Sequence, residues 1–194
     1  MVLKNLDKYD IVLASGSPRR HALLKDLGVD FRVEQRPVEE NFPPGMDENE
    51  IAVYLSKLKA DAFDADFFAA NTMLITADTI VCLEGKLLGK PGSRAEAFEM
   101  LRQLSGKRHQ VITGMSIRIS NREVNFSVGT DVYFKDLEEE EIEYYVDTFR
   151  PYDKAGAYGI QEWIGFAGIE KIDGSFYNVM GLPLHRLYEE LRKF

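Results

Sequence analysis

The sequence predicts an α/β fold built on a mixed sheet, and three observations predict it. Short apolar runs of strand type alternate with segments of helical periodicity along the 194 residues. The first of these runs, Asp10-Ile-Val-Leu-Ala14, breaks at Ser15-Gly16-Ser17 and feeds directly into a helix. Later, two long strand patterns, His109 to Ser120 and Glu123 to Phe134, follow one another around a turn near Asn121. Consecutive strands of that kind pair antiparallel, so the alternation is not strictly βαβ and the sheet is mixed rather than of Rossmann type.

Taken in order, the first helix has Ser17 as N-cap and Pro18 in its first turn. A missing N–H costs nothing there. Ala22, Leu23, Leu24 and Leu27 form its apolar face, and Gly28 ends it. A second strand is expected over Phe31–Gln35, then a turn-rich segment, Arg36 to Gly45. Asp47 with Glu50 makes a capping box for a helix carrying Ile51, Tyr54, Leu55 and Leu58, expected to run to about Phe68. Thr72 to Ala77 has the pattern of a buried strand and continues through Asp78-Thr79 to Leu83, where Leu83-Glu-Gly-Lys86 turns a hairpin. Ser93 and Glu96 are a second capping box, for a helix that stops at Ser105-Gly106. Asp136 to Glu143 opens another helix, whose acidic first turn complements the helix dipole. Asp153-Lys-Ala-Gly-Ala-Tyr-Gly-Ile-Gln161 is small, flexible and polar at both ends, as a substrate-lining loop would be. A strand ending at Asp173, a turn at Gly174-Ser175 and a last helix over Leu184–Lys193 complete the chain.

Composition narrows the function. The chain is 45% hydrophobic and 29% charged, so a packed core is expected. Its net charge of −8 disfavours nucleic acid as a partner but not a small anionic substrate in a local basic pocket. Cys82 lies in an apolar run and is expected to be a buried structural thiol. His21, His109 and His185 are scattered, without zinc-ligand spacing, and neither a Walker A loop nor a G-x-G-x-x-G is present. The N-terminal residues have no signal-peptide pattern and no run is long enough to span a membrane, so a cytoplasmic protein without a membrane partner is expected.

Two local features carry chemistry. The strand–Ser-Gly-Ser–helix turn exposes backbone N–H groups at the positive end of a helix, and Arg19 and Arg20 add fixed charge there. Together these make an anion site. Asp78 interrupts an apolar strand, where an unpaired carboxylate is expensive to bury. It therefore pairs with a basic residue, caps a helix, binds a metal or serves as a general base.

Six stretches, in order, resemble the Maf family of nucleotide pyrophosphatases. They are Leu13-Ala-Ser-Gly-Ser-Pro-Arg-Arg20, Ala77-Asp-Thr-Ile-Val81, Gly89-Lys-Pro91, Leu104-Ser-Gly-Lys-Arg-His109, Asp153 to Gln161 and Asn178-Val-Met-Gly-Leu-Pro183. The Lys-Ala-Gly-Ala-Tyr-Gly-Ile-Gln form resembles the branch acting on dTTP and UTP rather than that preferring 7-methyl-GTP. The resemblance implies one domain over residues 1–194, in two lobes around a central cleft, with an elongated mixed sheet and flanking helices as in inosine triphosphatase. It also implies a homodimer, a divalent cation (Mg²⁺ or Mn²⁺), and hydrolysis of a nucleoside triphosphate to monophosphate and pyrophosphate.

Carried over residue by residue, Asp78 is the catalytic acceptor, with Lys90 and Glu40 in the catalytic set and Asp78 and Glu40 as metal ligands. Ser15, Arg19, Arg20, Lys59, Thr79 and Gln161 contact substrate, with Arg19, Thr79 and Gln161 governing specificity. The chemistry agrees, because Mg²⁺ takes carboxylate and phosphate oxygens together. An amide such as Gln161 can meet both the O4 acceptor and the N3 donor of uracil or thymine. The resemblance leaves two further readings: a housecleaning pyrophosphatase for modified pyrimidine triphosphates, and a non-catalytic nucleotide-binding regulator of septum formation. Retention of Asp78, Lys90 and Glu40 favours the enzyme, since a pure binder needs no buried base.

Overall fold

The computed structural model describes residues 3–69 and 71–194. Its elements are β1 (Asp10–Leu13), α1 (Pro18–Asp26), β2 (Arg32–Val33), α2 (Glu48–Asp61), β3 (Thr72–Leu83), β4 (Lys86–Leu88), α3 (Arg94–Leu104), β5 (Arg108–Ile119), β6 (Arg122–Phe134), α4 (Glu139–Phe149), α5 (Trp163–Ala167), β7 (Ile169–Asp173), α6 (Phe176–Val179) and α7 (Leu184–Leu191). The seven strands form one sheet in the order β2-β1-β3-β5-β6-β7, with β4 on β3. β1 is parallel to both β2 and β3, while β3–β4 and β6–β7 are antiparallel. The fold is thus α/β on a mixed sheet, as the pattern of the sequence implies.

Two compact units share the chain. The first comprises Met1–Asp78, Thr113–Val128 and Gly181–Phe194; the second comprises Thr79–Ile112 and Gly129–Met180. In the first, β1 and β3 run in register from Asp10↔Thr72 to Leu13↔Ile75. Apart from the exposed Asp10 and the half-buried Thr79, both strands are buried, as cover by helices on two faces requires. Val12, Ala14 and Leu74 pack with Ala60, Phe63 and Phe68 from α2 and the turn that follows. α2 also lies directly on β5: a Cβ at Gly114 would sit 1.9 Å from the Ala52 carbonyl oxygen, so only glycine fits this contact. The Thr76 hydroxyl donates to the Ser56 carbonyl at 2.7 Å and fixes the height of α2 on β3. In the second unit, α3 and α4 pack through Leu101, Leu104, Ile142, Tyr145 and Val146, with Val111, Val132 and Phe134 from the sheet.

Several boundaries differ from expectation. α2 ends at Asp61 instead of near Phe68, because Asp64 caps a new 3₁₀ turn, accepting from Phe67 N at 3.2 Å. β2 has two residues rather than five, both exposed. α4 begins after Glu138, whose N–H donates to Glu141 at 3.0 Å, so Asp136 lies outside it. Ser93 caps α3, but Glu96 receives the Gly92 N–H at 2.8 Å instead of closing a box on Ser93. Ala22 is exposed, so the buried face of α1 reduces to Leu23 and Leu24. Cys82 is buried in β3.

Candidate functional site

The site is built from the first unit's β1–β3 pair. Strand order reverses there: β2 lies on one side of β1 and β3 on the other. In open α/β sheets, ligands bind beyond the carboxyl ends of the strands at such a reversal. The Ser15-Gly16-Ser17 turn lies beyond the end of β1, and beside it β3 runs on past its last β1 partner, Ile75, to Asp78.

Arg20 organises the turn. Its Nη1 donates to the Ser15 hydroxyl at 3.3 Å and to the Ala77 carbonyl at 2.9 Å, and its Nε to the Gly181 carbonyl at 2.8 Å. Three of the motif stretches therefore meet on one guanidinium. Its pKa lies below the ordinary arginine value because of burial, an effect opposed by Asp78, reinforced by Arg19 and opposed in turn by Glu40. Ser15 is buried and accepts from Ser17 N at 3.3 Å, and its carbonyl is 2.6 Å from His21 Nε2. Ser17 caps α1 through the Arg20 N–H. Arg19, in the same first turn, is half-buried.

Asp78 is buried, 8% exposed, and ion-paired with Lys59 from the last turn of α2. The same ammonium lies 2.9 Å from Glu40 Oε1. Glu40 comes from the irregular segment between β2 and α2. Its neighbour Glu39 instead accepts from Asn41 Nδ2 at 3.4 Å, so the two adjacent glutamates have separate tasks. Lys57 points elsewhere, to Asp61 at 2.6 Å. The first unit thus gathers Asp78, Lys59 and Glu40 on one cation. Among the described residues no group of three or more His, Cys, Asp or Glu could hold a metal by itself. Two carboxylates on one cationic point nevertheless suit an ion such as Mg²⁺, which takes one or two carboxylates and completes its shell with substrate phosphates and water.

The remaining expected residues belong to the second unit. Thr79 follows Asp78 on β3 and is half-buried; Lys90 is exposed. The Gly89-Lys90-Pro91 stretch is tied to the Asp153–Gln161 loop by the Gly156 N–H, which donates to the Gly89 carbonyl at 3.0 Å. Gly156 has φ 69°, a left-handed conformation that favours glycine, and a Cβ there would meet Val81 at 3.0 Å. The loop is packed rather than flexible: residues 156–160 are all buried.

Sequence reasoning missed what lies beneath this loop. Lys154 is buried between Asp153 at 2.7 Å and Glu162 at 3.1 Å. The other oxygen of Glu162 accepts a short hydrogen bond from the Tyr145 hydroxyl, which in turn accepts from Gly159 N at 3.0 Å. Gln161 Nε2 is 3.5 Å from Glu162 Oε1, and Gln161 Oε1 is buried without a hydrogen-bond partner. Such an orphaned acceptor costs about 1–3 kcal/mol. The available signal was a lysine set among small residues, Lys154-Ala-Gly-Ala157, one residue type that does not stay buried unpaired. Asn178, in the last motif, is also structural: its Nδ2 donates to the Val111 carbonyl at 3.0 Å and to Thr130 Oγ1 at 2.9 Å.

A mixed-sheet α/β protein with an arginine-bound turn and a carboxylate–lysine–carboxylate cluster at the strand reversal belongs to the class suited to anionic substrates. The same fold occurs in the Staphylococcus aureus Ham1 protein, with a TM-score of 0.51 at 20% identity, over 93% of this chain and 99% of that one. The chain belongs to the Maf family, whose model, described as Maf-like protein, matches residues 10–194. A Bacteroides thetaiotaomicron protein named dTTP/UTP pyrophosphatase is 54% identical over 99% of this chain and 100% of its own length. Proteins of that name from Cytophaga hutchinsonii, 51% identical over 100% of this chain and 88% of its own, and Porphyromonas gingivalis, 50% identical over 100% and 98%, are also similar.

Proposed function

We infer that this protein is a nucleoside triphosphate pyrophosphatase acting on dTTP and UTP. Water adds to the α-phosphorus, the bond from that phosphorus to the α–β bridging oxygen breaks, and nucleoside monophosphate and pyrophosphate leave. The observation that carries the reading is the buried Asp78, held with Glu40 on the Lys59 ammonium in a chain about half identical, end to end, to proteins of that name.

In this mechanism Asp78 takes the proton of the attacking water, and its place on a buried strand holds the carboxylate still. Asp78 and Glu40 would hold a divalent cation, which when bound supplies Lewis-acid stabilisation of phosphate oxygens. Lys59, Lys90 and Arg19 neutralise charge on the phosphates, and Ser15 with its following N–H groups cradles an oxygen. Arg20 acts mainly by shaping the turn, since three of its donor contacts go to Ser15, Ala77 and Gly181. Thr79 and Gln161 face the base. The protein works in the cytoplasm as a homodimer on free nucleotides, standard and modified pyrimidines included. No helix among the described residues is long and apolar enough to cross a membrane.

The test is a panel of dTTP, UTP, CTP, ATP and GTP with added Mg²⁺ or Mn²⁺, products separated by ion exchange. Pyrophosphate released fastest from dTTP and UTP is the expected result. A preference for GTP, or release of single phosphates, overturns the assignment, and tight nucleotide binding without turnover would favour the regulator.

A further inference from the structure

We propose that Glu162 sets the orientation of the Gln161 amide and thereby makes this protein choose uracil and thymine over cytosine. The inference rests on the reading above, in which Gln161 meets the base. Glu162 is a positioning residue, and the group it positions is its own neighbour in the chain.

A side-chain amide has a donor end and an acceptor end of almost equal size, so by itself it recognises either hydrogen-bonding pattern. Uracil and thymine carry a donor at N3; cytosine carries an acceptor there. An amide that turns freely therefore serves both classes, and selection needs something that holds one end inward. Glu162 is suited to this. An ionised carboxylate only accepts, so the Gln161 amide turns its NH₂ toward it, and Nε2 lies 3.5 Å from Glu162 Oε1. The reverse orientation would set the amide oxygen against the carboxylate oxygen. Oε1 is thereby left as the unpaired end, a buried acceptor with no donor in the structure. Gln161 as a whole is only half-buried. The N3–H of uracil or thymine supplies the missing donor, whereas the N3 of cytosine would oppose Oε1 with a second lone pair.

Glu162 can act as a fixed reference because it is itself pinned. Lys154 Nζ lies 3.1 Å from Oε1, the oxygen that faces Gln161, and its side chain is only 8% exposed. The Tyr145 hydroxyl occupies Oε2. That hydroxyl already accepts from Gly159 N at 3.0 Å, so its own proton goes to Glu162. Burial, then the Glu162 hydrogen bond, raises the Tyr145 pKa, so the proton stays on the phenol. Gly159 completes the arrangement. A Cβ there would lie 2.8 Å from Glu162 Cδ and 2.9 Å from Gln161 Nε2, so both side-chain ends rest against a bare Cα. The last residues of the motif and the glutamate after it thus form one device: lysine and tyrosine hold the carboxylate, and the carboxylate holds the amide.

The experiment measures kcat/KM for UTP, dTTP and CTP with wild type, Glu162→Gln and Gly159→Ala, with thermal unfolding of each. In Glu162→Gln the neighbour becomes an amide that donates as well as accepts, so Gln161 can turn either way. The UTP-to-CTP ratio of kcat/KM should fall by about tenfold or more, with CTP improving relative to both uracil and thymine substrates. Gly159→Ala, which leaves every charge in place, should lower the ratio in the same direction. If the Glu162 variant does not fold, the Gly159 variant decides. A damaged but merely structural residue would lower all three substrates alike, and ratios equal to wild type in the folded variants overturn the proposal. A wild type that hydrolyses UTP and CTP equally also overturns it while leaving the pyrophosphatase standing. A wild type that releases no pyrophosphate from any of the three removes the enzymatic reading itself, and the inference with it.

Discussion

Lys59 stands between two carboxylates: its ammonium is ion-paired with Asp78 and lies 2.9 Å from Glu40 Oε1. Asp78 is fixed on a buried strand, and its side chain is 12% exposed against 49% for Glu40. The arrangement solves a problem of like charge. Two carboxylates brought close together repel one another, and a lysine on the last turn of a neighbouring helix offsets that repulsion. In the proposed mechanism the same ammonium would serve the phosphates once cation and triphosphate are bound.

Asp78→Asn keeps the shape of the side chain and removes its charge and basicity. Loss of a general base costs about 10²- to 10⁴-fold in rate, and that range is expected for kcat on dTTP and UTP. Turnover within threefold of wild type, in a variant with an unchanged melting profile, would remove Asp78 from the chemistry.

Lys59→Met tests the bridging cation. With the positive charge gone, Asp78 and Glu40 lose their shared counter-ion and the phosphates lose one cationic contact, so kcat/KM on dTTP and UTP should fall by about 10²-fold. Lys59→Arg keeps the charge and should recover part of that loss. A folded Lys59→Met variant within threefold of wild type would mean the ammonium has no part in the working enzyme.

How much of this was legible beforehand follows from what each residue's neighbours in sequence could reveal. Asp78 was legible because a carboxylate inside an apolar strand breaks a pattern. Glu40 differs from Glu39 only through Lys59, nineteen positions on and brought near by folding, so only the resemblance could single it out. The end of α2 was hidden because Ala62 and Phe63 prolong the apolar pattern while the capping side chain of Asp64 belongs to the next turn. α5 and α6, of five and four residues, are shorter than two helical turns and leave no periodicity to detect. Glu162 went unnoticed because its meaning lies in Lys154 and Tyr145, and the latter comes from a different helix.

Lys90 precedes Pro91, which biases its backbone toward extended conformations and limits where its side chain can go. Its segment is anchored at Gly89 to the Gly156 N–H. In the proposed role as a phosphate contact it would be indifferent to the base, so Lys90→Ala should lower kcat/KM for every accepted nucleotide by a similar factor. A loss confined to one base would place Lys90 in the base pocket instead.

The last prediction concerns stability. His109 is buried in the second unit, stacked on Phe134 at 5.5 Å and sharing a 2.7 Å hydrogen bond with the Tyr158 hydroxyl. Burial pushes its pKa down to about 4. In the unfolded chain the imidazole titrates near its ordinary value of about 6.5. Between these two pH values the unfolded state takes up a proton that the folded state refuses, so unfolding gains free energy as the pH falls. The stabilisation contributed by neutral His109 is therefore complete above about pH 6.5 and is lost progressively down to pH 4, by about 3 kcal/mol in all. Glu141 and Asp147, whose pKa values are lowered by hydrogen bonds from Lys135 and Arg94, lose their own contributions on the acid side as well, so the total slope is not due to His109 alone. His109→Gln separates the terms, since it retains a polar partner for Tyr158 and cannot titrate. The variant should be less stable than wild type at pH 7.5, and the gap should narrow or reverse by pH 4.5 in urea unfolding. A gap that is the same at both pH values would show that His109 does not carry the acid sensitivity of the second unit.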